Sequence, residues 1–225
     1  IFGFSTENWK RSNIEINFLM VLLSDFLDDT ILKAQSDSYR RIRNTFRYLI
    51  GNLNQYSEKE ATSINEFPEL EKYILHRLWE IDIIIKSCVK NYNFHLMFTT
   101  LLNFCSNDLS AFYFDIRKDA IYCDSLTSIK RRSSRTILNL VFDYLVRWLA
   151  PILSFTCEEA WKAMGNSSSI HLEDFFETKN IYENQELSEK WNIVRDIRKV
   201  ITGALEKKRA DKVIGSSLES DIKIY

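Results

Sequence analysis

The stretch SDSYRRIRNTFRYLIGNL, residues 36–53, decides the fold class of this chain. Its apolar side chains recur at steps of three and four, at Tyr39, Ile42, Phe46, Leu49, Ile50 and Leu53. That spacing is typical of one buried face of an α-helix. Ser36 or Ser38 offers a cap for the start of the helix, and Gly51 marks its end. The stretch therefore predicts a helix that packs one face against a larger body.

The rest of this helix surface is basic. Four arginines occupy it: Arg40, Arg41, Arg43 and Arg47. The simplest interpretation is a bundle helix with a solvated basic face. Guanidinium groups also pair with phosphates and stack on unpaired bases, so the same face is a candidate for binding RNA. The remaining sequence has to distinguish these two interpretations.

The composition of the chain favours a helical domain. Its 225 residues are 45% hydrophobic and 13% aromatic, which is enough for a sizeable core. Only five glycines and two prolines occur, whereas a β-rich fold with many turns needs more of both. The formal net charge is −1, so any nucleic-acid-binding surface must be a local one.

The cysteines and histidines show no metal-ligand spacing. Cys88, Cys105, Cys123 and Cys157 lie far apart and form no C-x-x-C pair. We expect them to be core thiols in a reducing compartment, with no metal site. We also see neither a signal peptide nor an apolar run of about 18 residues, so we expect a cytoplasmic protein without a membrane partner.

Further apolar stripes predict further helices. They lie at residues 14–27, 67–90, 94–116, 130–149 and 190–208, and a short helix is predicted to begin at the capping-box pair Thr156 and Glu159. Residues 1–4 are typical of the end of a strand, and residues 222–225 alternate like the start of one. The predicted fold class is an all-α helical bundle with small additions at both ends.

The first of these additions resembles a known family. The sequence FSTENWKR, residues 4–11, followed by EINFLM, residues 15–20, resembles undecaprenyl diphosphate synthase, a cis-prenyltransferase. The resemblance implies that a loop bordering the isopentenyl diphosphate site corresponds to Ser5, Glu7, Asn8, Trp9 and Arg11. The diphosphate-binding motif Asp-Gly-Asn-x-Arg-Trp of that family does not occur in the sequence, so the loop lacks a phosphate cradle. We expect residues 1–28 to be a foreign, non-functional strand–loop–helix fragment.

From about residue 29 the chain resembles isoleucyl-tRNA synthetase, a class I enzyme, over its anticodon-binding region. The segments that carry the resemblance are TILK at 30–33, residues 36–45, YNFH at 92–95, NFCSNDLSAFYFD at 103–115, APILSFTCEEAW at 150–161 and KKRADKVIGSSLE at 207–219. The resemblance implies an anticodon-binding helical bundle over residues 29–165. It implies a linker, a helix and the start of a truncated small α/β subdomain over residues 166–225.

The same resemblance implies a tRNA partner, and isoleucine tRNA in particular. The nucleotide-binding signatures His-Ile-Gly-His and Lys-Met-Ser-Lys-Ser of the family do not occur in the sequence, nor does a glycine-rich phosphate loop. We therefore expect no catalytic residue, no cofactor and no aminoacylation or editing by this chain alone, although the full-length family uses ATP and Mg. Whether a separate catalytic half exists stays open.

Several residues are candidates for contact with tRNA. The first cluster is the arginine face of residues 40–47, and the second comprises Lys130, Arg131, Arg132 and Arg135. A weaker third cluster comprises Lys207, Lys208 and Arg209, and Tyr73 or Trp79 could provide a platform for a base. Two other interpretations stay open: an inert fusion remnant that folds without binding RNA, and a degenerate prenyltransferase relative.

Overall fold

The structure is a computed structural model that describes residues 12–26, 29–177, 180–216 and 219–223. Its α-helices are α1 Asn13–Phe26, α2 Asp29–Leu53, α3 Glu69–Lys90, α4 Phe94–Asn103, α5 Asp115–Cys123, α6 Ile129–Leu149, α7 Ser154–Ala163 and α8 Gln185–Ala210. A π-helical segment, Phe104–Phe114, joins α4 to α5. Short 3₁₀ turns lie at Glu58–Glu60, Ile64–Glu66, Ile170–Leu172 and Asn180–Tyr182. No strand occurs in the described part of the chain, and the predicted all-α helical bundle is confirmed.

The apolar stripe of α2 forms one wall of the core, as its spacing predicts. Ile42, Phe46, Leu49 and Leu53 are each at most 3% exposed. Burial of such a side chain contributes about 1.5–3 kcal/mol, so packing rather than helix propensity holds α2 in place. Two members of the predicted stripe differ: Ile50 is half-buried and Tyr39 is exposed.

The predicted start and the predicted end of this helix are both wrong. The helix predicted to start at Ser36 or Ser38 begins at Asp29, and the Ser38 hydroxyl donates to the carbonyl of Ala34 within it at 2.9 Å. Gly51 lies inside the same helix rather than at its end. The apolar spacing does not predict the first turns of α2, because that spacing marks buried residues and residues 32–37 are exposed. No proline or glycine interrupts the helix between Asp29 and Ser36, so it continues through these residues.

The capping box at Thr156 and Glu159 is also wrong. The helix α7 begins at Ser154, because the amide of Cys157 already donates to the carbonyl of Leu153 at 2.9 Å. The Thr156 hydroxyl instead lies 3.0 Å from the hydroxyl of Tyr39 on α2. A side chain expected to cap its own helix therefore joins α7 to α2.

The predicted helix at 94–116 is longer and irregular. It runs as α4, the π segment and α5 to Cys123. Within the π segment the Ser110 hydroxyl donates to the carbonyl of Cys105, five residues back, at 2.8 Å. Apolar spacing carries no signal for such a segment, because one extra residue per turn shifts the buried face only locally.

A buried ion pair fixes the π segment against the helices around it. Arg117 of α5 donates to both oxygens of Glu71 on α3, at 2.6 and 2.7 Å. Tyr113 of the π segment and Ser134 of α6 donate to the same carboxylate, at 3.0 and 3.2 Å. Glu71 is fully buried, so these donors together satisfy a charge that would otherwise be costly to bury.

A second charged cluster holds α8 on the bundle. Asp108 of the π segment accepts from Arg77 of α3 at 3.1 Å and from Arg195 of α8. Arg195 also donates to the Tyr73 hydroxyl at 2.9 Å. At the start of α8, the amide of Asn184 donates to Nδ1 of the buried His76 at 2.9 Å.

Some predictions fall on residues outside the described part, including residues 1–4 and the loop residues Ser5, Glu7, Asn8, Trp9 and Arg11. Of the strand predicted at 222–225, only Ile222 and Lys223 are described, and neither lies in a regular element. No helix within the described ranges has both the length and the apolar character that a membrane span requires.

The cysteine prediction holds for three of the four residues. Cys88, Cys105 and Cys157 are buried, whereas Cys123 is exposed at the last residue of α5. The prediction of a core thiol is therefore wrong at Cys123. Burial raises the pKa of both the Cys105 and the Cys157 thiol to about 12, so these two groups stay protonated at neutral pH.

Candidate nucleic-acid interface

The first predicted cluster lies on the outer face of α2. Arg40, Arg41, Arg43 and Arg47 are all exposed. Arg40 forms an ion pair with Asp37 at 2.6 Å, one turn earlier. Within the described part of the chain, the guanidinium groups of the other three have no hydrogen-bond or ion-pair partner. Three arginines of one helix therefore present free donors to solvent.

The second predicted cluster is built into the fold. Arg131 donates to the carbonyl of Asp124 at 2.8 Å, and Arg132 donates to the carbonyls of Glu60 and Ala61 at 3.2 and 3.4 Å. Lys130 is exposed at the start of α6. Of this cluster, Lys130 alone is exposed, and its ammonium group has no partner within the described part of the chain.

Arg135 is the most enclosed member of the second cluster, with 7% of its surface exposed. It donates to the carbonyls of Asn52 and Asn54 at 3.2 and 2.9 Å, and to the Glu60 carboxylate at 2.5 Å. Its guanidinium carbon also lies 5.5 Å from the ring centroid of Tyr56. Arg135 thus fixes the end of α2 and the loop that follows it, and no sequence pattern reveals these distant partners.

The third cluster and the two predicted platforms lie elsewhere. Lys207, Lys208 and Arg209 are exposed at the end of α8, where Arg209 pairs with Glu206 at 2.6 Å. Tyr73 is fully buried, so its ring is closed to an RNA base. Trp79 is half-buried and stacks on His76, with 5.5 Å between the ring centroids.

The arginines of α2 border a groove against α7. A cavity of about 520 Å³ lies between these helices. Arg43 and Arg47 line one side, and Thr156 and Glu159 line the other. Glu159 is the acidic residue among those that line this cavity.

Two further cavities continue along α2 toward α5. The first, of about 480 Å³, is lined by Asn44, Arg47, Tyr48, Gly51, Asn52 and Tyr122. The second, of about 390 Å³, shares Asn44, Tyr48 and Tyr122 and adds Lys118 of α5. We call the surface formed by Arg43, Asn44, Arg47, Tyr48, Gly51 and Tyr122 the α2 groove.

An aromatic pair forms the floor of the α2 groove. Tyr48 stacks on Phe114 of the π segment, with 4.1 Å between ring centroids and 17° between planes. Burial and the neighbouring Tyr122 raise the pKa of Tyr48, so its hydroxyl stays neutral at physiological pH. Tyr122 itself is 62% exposed. Nothing lies within 4 Å of the position of a Cβ on Gly51, so the backbone there is open.

This arrangement has the chemistry of a site for single-stranded nucleic acid. Proteins bind unpaired bases with aromatic faces, guanidinium planes and amide groups, and they bind the phosphates with cations. Asn44, Tyr48 and Tyr122 lie outside the basic clusters that the sequence predicts. Asn44 and Tyr48 are four residues apart in the same helix as Arg47, so helical spacing could have predicted that these two residues lie near Arg47. Tyr122 belongs to α5, and its position beside them depends on the tertiary fold.

Comparison with known proteins identifies the family of the chain. A family model for the anticodon-binding domain of tRNA ligases matches residues 71–224. The chain belongs to this family. The match crosses residue 165, where the sequence predicts that the bundle ends, and the division into three parts stays a prediction.

Isoleucine–tRNA ligases are similar to this anticodon-binding domain over nearly its whole length. The protein of Pelagibacter ubique is 46% identical over 222 residues, which cover 95% of this chain and 24% of that protein. Those of Gluconobacter oxydans and Caulobacter vibrioides are 47% and 43% identical, over 91% and 94% of this chain and 22% of each relative. The predicted similarity to the anticodon-binding region of isoleucyl-tRNA synthetases is confirmed.

The matches cover a small part of each relative but nearly all of this chain. The chain spans about a quarter of the length of these relatives. Because the matches cover 91–95% of the chain, they include part of residues 1–28. The prenyltransferase resemblance of that segment stays a prediction.

Proposed function

We propose that this anticodon-binding domain holds the anticodon loop of a tRNA in the α2 groove. One observation carries the proposal: two unpaired arginines of α2, Arg43 and Arg47, border a groove whose floor is a stacked aromatic pair. A solvated bundle helix requires neither the aromatic floor nor the open backbone at Gly51. An anticodon loop provides unpaired bases and phosphates, which fit both features.

The side chains of the groove divide into two roles. Arg43 of the groove is suited to phosphates, which position an RNA without reading its sequence, and so is Arg41, which is exposed on the same helix outside the groove. Tyr48 provides a flat face on which a base can stack. Arg47 and Asn44 lie beside that face and offer donors and an acceptor to base edges, which is where sequence is read.

The RNA partner in this proposal is isoleucine tRNA. The support is the similarity to proteins named isoleucine–tRNA ligase at 43–47% identity. The proposal implies the cytoplasm as the location of the chain, because the tRNA pool is there.

We further infer that these 225 residues alone do not charge tRNA. The two nucleotide-binding signatures of the class I enzymes do not occur in them. ATP and Mg therefore belong, in this proposal, to the catalytic portion of longer family members or to a separate catalytic half. Charged tRNA formed from ATP, isoleucine, tRNA and this chain would contradict this inference.

The affinity of the chain alone should be modest. Covalent linkage to other RNA-binding parts raises the effective concentration of the second contact. Without that gain, we expect a dissociation constant on the order of 10⁻⁶ to 10⁻⁴ M. Because phosphate contacts contribute, binding should weaken steeply as salt rises.

The variant Arg47→Ala tests the site. We expect it to weaken binding of a fluorescent isoleucine anticodon hairpin by roughly 5- to 100-fold, since one base contact contributes about 1–3 kcal/mol. The matched control is Arg40→Ala, which removes an arginine of the same helix that is already paired with Asp37. We expect the control to stay within about two-fold of wild type.

The comparison of these variants has a clear negative outcome. If Arg47→Ala binds the hairpin as tightly as Arg40→Ala does, the α2 groove is not the binding site. Wild-type binding that is absent or insensitive to salt would contradict the RNA-binding function as a whole.

A further inference from the structure

A second basic surface continues from the α2 groove onto α8. It comprises Lys118 of α5 with Arg198 and Lys199 of α8, and we call it the α5–α8 strip. We propose that this strip binds the phosphate backbone of the RNA whose loop occupies the α2 groove. The inference rests on the proposed function, because the same RNA must reach both surfaces.

A single carboxylate holds the two helices of the strip together. Asp115 accepts from Lys118 Nζ at 3.0 Å through one oxygen and from Arg198 Nη2 at 2.7 Å through the other. Lys118 and Arg198 lower the pKa of Asp115, so the bridge is ionised at neutral pH. Two cations from different helices are therefore held beside each other before any RNA binds.

The strip is continuous with the α2 groove. Lys118 lines the same cavity as Asn44 and Tyr48. On the other side of Asp115, Arg198 and Lys199 line a cavity of about 730 Å³ between α8 and the π segment. A strand that leaves the groove past Lys118 thus meets the two cations of α8 next.

The strip retains capacity to bind a phosphate. Lys199 is exposed and its ammonium group has no hydrogen-bond or ion-pair partner within the described part of the chain. Arg198 uses one nitrogen for Asp115, which leaves the rest of its guanidinium group for another acceptor. Arg195 lines the same cavity but is committed to Asp108 and Tyr73, so we leave it out of the strip.

The balance of charge in the strip indicates positioning rather than tight binding. Two of its three cations, Lys118 and Arg198, contact the bridging Asp115, and Asp196 lines the same cavity as Lys199. The net excess of positive charge is therefore small. Neutral donors and acceptors flank the cations there, from the side chains of Asn107 and Asn192. This combination suits a sugar–phosphate backbone. The aromatic residue that lines this cavity, Phe112, is already covered by Arg195, whose guanidinium carbon lies 5.0 Å from the ring centroid, so its face is not free to stack on a base.

The double variant Lys118→Ala/Lys199→Ala tests the strip and leaves the Asp115–Arg198 bridge in place. We measure its affinity for an isoleucine tRNA transcript over a series of salt concentrations. We expect affinity to fall by roughly three- to ten-fold at low salt and the slope of log K against log salt to fall by about 1.4, or about 0.7 per lost phosphate contact. The ratio of affinities for transcripts with and without the isoleucine anticodon should stay unchanged, because phosphates carry no sequence.

The matched control is Lys190→Ala, which removes an exposed lysine of α8 that pairs with Glu69 at 2.9 Å. If this control and the double variant have the same effect, general charge explains the loss and the strip is refuted. An unchanged affinity and slope in the double variant also refute it. In that case a loss of affinity in Arg47→Ala would leave the proposed function intact. A wild-type chain that binds no tRNA would refute both the strip and the proposed function.

A change in the ratio of affinities for transcripts with and without the isoleucine anticodon, measured in the double variant, would contradict the phosphate role of the strip.

Discussion

Arg43 and Arg135 carry the same side chain but have opposite environments. Arg43 lies among the buried positions Ile42 and Phe46 in a helical pattern, so its exposure could be predicted from spacing alone. Arg135 also lies in a helix, but it is buried by loop carbonyls that come from more than 70 positions earlier in the chain. The local sequence around Arg135 does not reveal these distant carbonyls, and the sequence therefore makes both arginines candidates for contact with RNA.

The variant Arg135→Ala should lower the stability of the chain without acting on RNA directly. It leaves the Glu60 carboxylate and two carbonyls without their donor, and we expect the free energy of unfolding to fall by about 2–4 kcal/mol. Urea unfolding followed by circular dichroism measures this change. The matched variant Arg43→Ala should stay within about 0.5 kcal/mol of wild type, as is usual for an exposed residue. Equal stabilities of the two variants would show that Arg135 does not hold the loop.

The helices as elements are mostly predictable, and their irregular parts are not. The stripe from Leu70 to Ile85 predicts α3 correctly, because each of its buried residues repeats the helical period. The π segment has no such signal, although it places Phe114 under Tyr48 and Asp108 between two arginines. The floor of the α2 groove therefore depends on a feature that only the structure reveals.

The contacts of Asp108 should determine how often α8 separates from the bundle. The variant Asp108→Ala removes the acceptor shared by Arg77 and Arg195, and losing hydrogen bonds to a charged group costs about 1.5–3 kcal/mol. We expect amide hydrogen exchange in residues 185–198 to become roughly 10- to 100-fold faster, while exchange in α2 stays unchanged. The control Asp37→Ala, which removes an exposed pair on α2, should leave α8 as it is in wild type. If amide hydrogen exchange in α8 is as slow in Asp108→Ala as in wild type, the contacts of Asp108 do not hold this helix on the bundle.

At the scale of the whole molecule, local charge matters more than net charge. The chain has a formal net charge of −1, yet the outer face of α2 presents Arg41, Arg43 and Arg47 without partners in the described part of the chain. The fold produces this uneven distribution of charge because other arginines, namely Arg77, Arg117 and Arg135, form ion pairs with carboxylates of the bundle. The all-α class follows from composition and spacing, whereas which arginines remain free depends on tertiary contacts.

The most direct test compares two tRNA transcripts that differ only in the three anticodon bases. Fluorescence anisotropy at one fixed salt concentration gives the dissociation constant of the wild-type chain for each. We expect the transcript with the isoleucine anticodon to bind at least roughly five-fold more tightly, since reading one base correctly contributes about 1–3 kcal/mol. We expect Arg47→Ala to abolish that preference. Equal dissociation constants of the wild-type chain for the two transcripts would contradict anticodon recognition in the α2 groove.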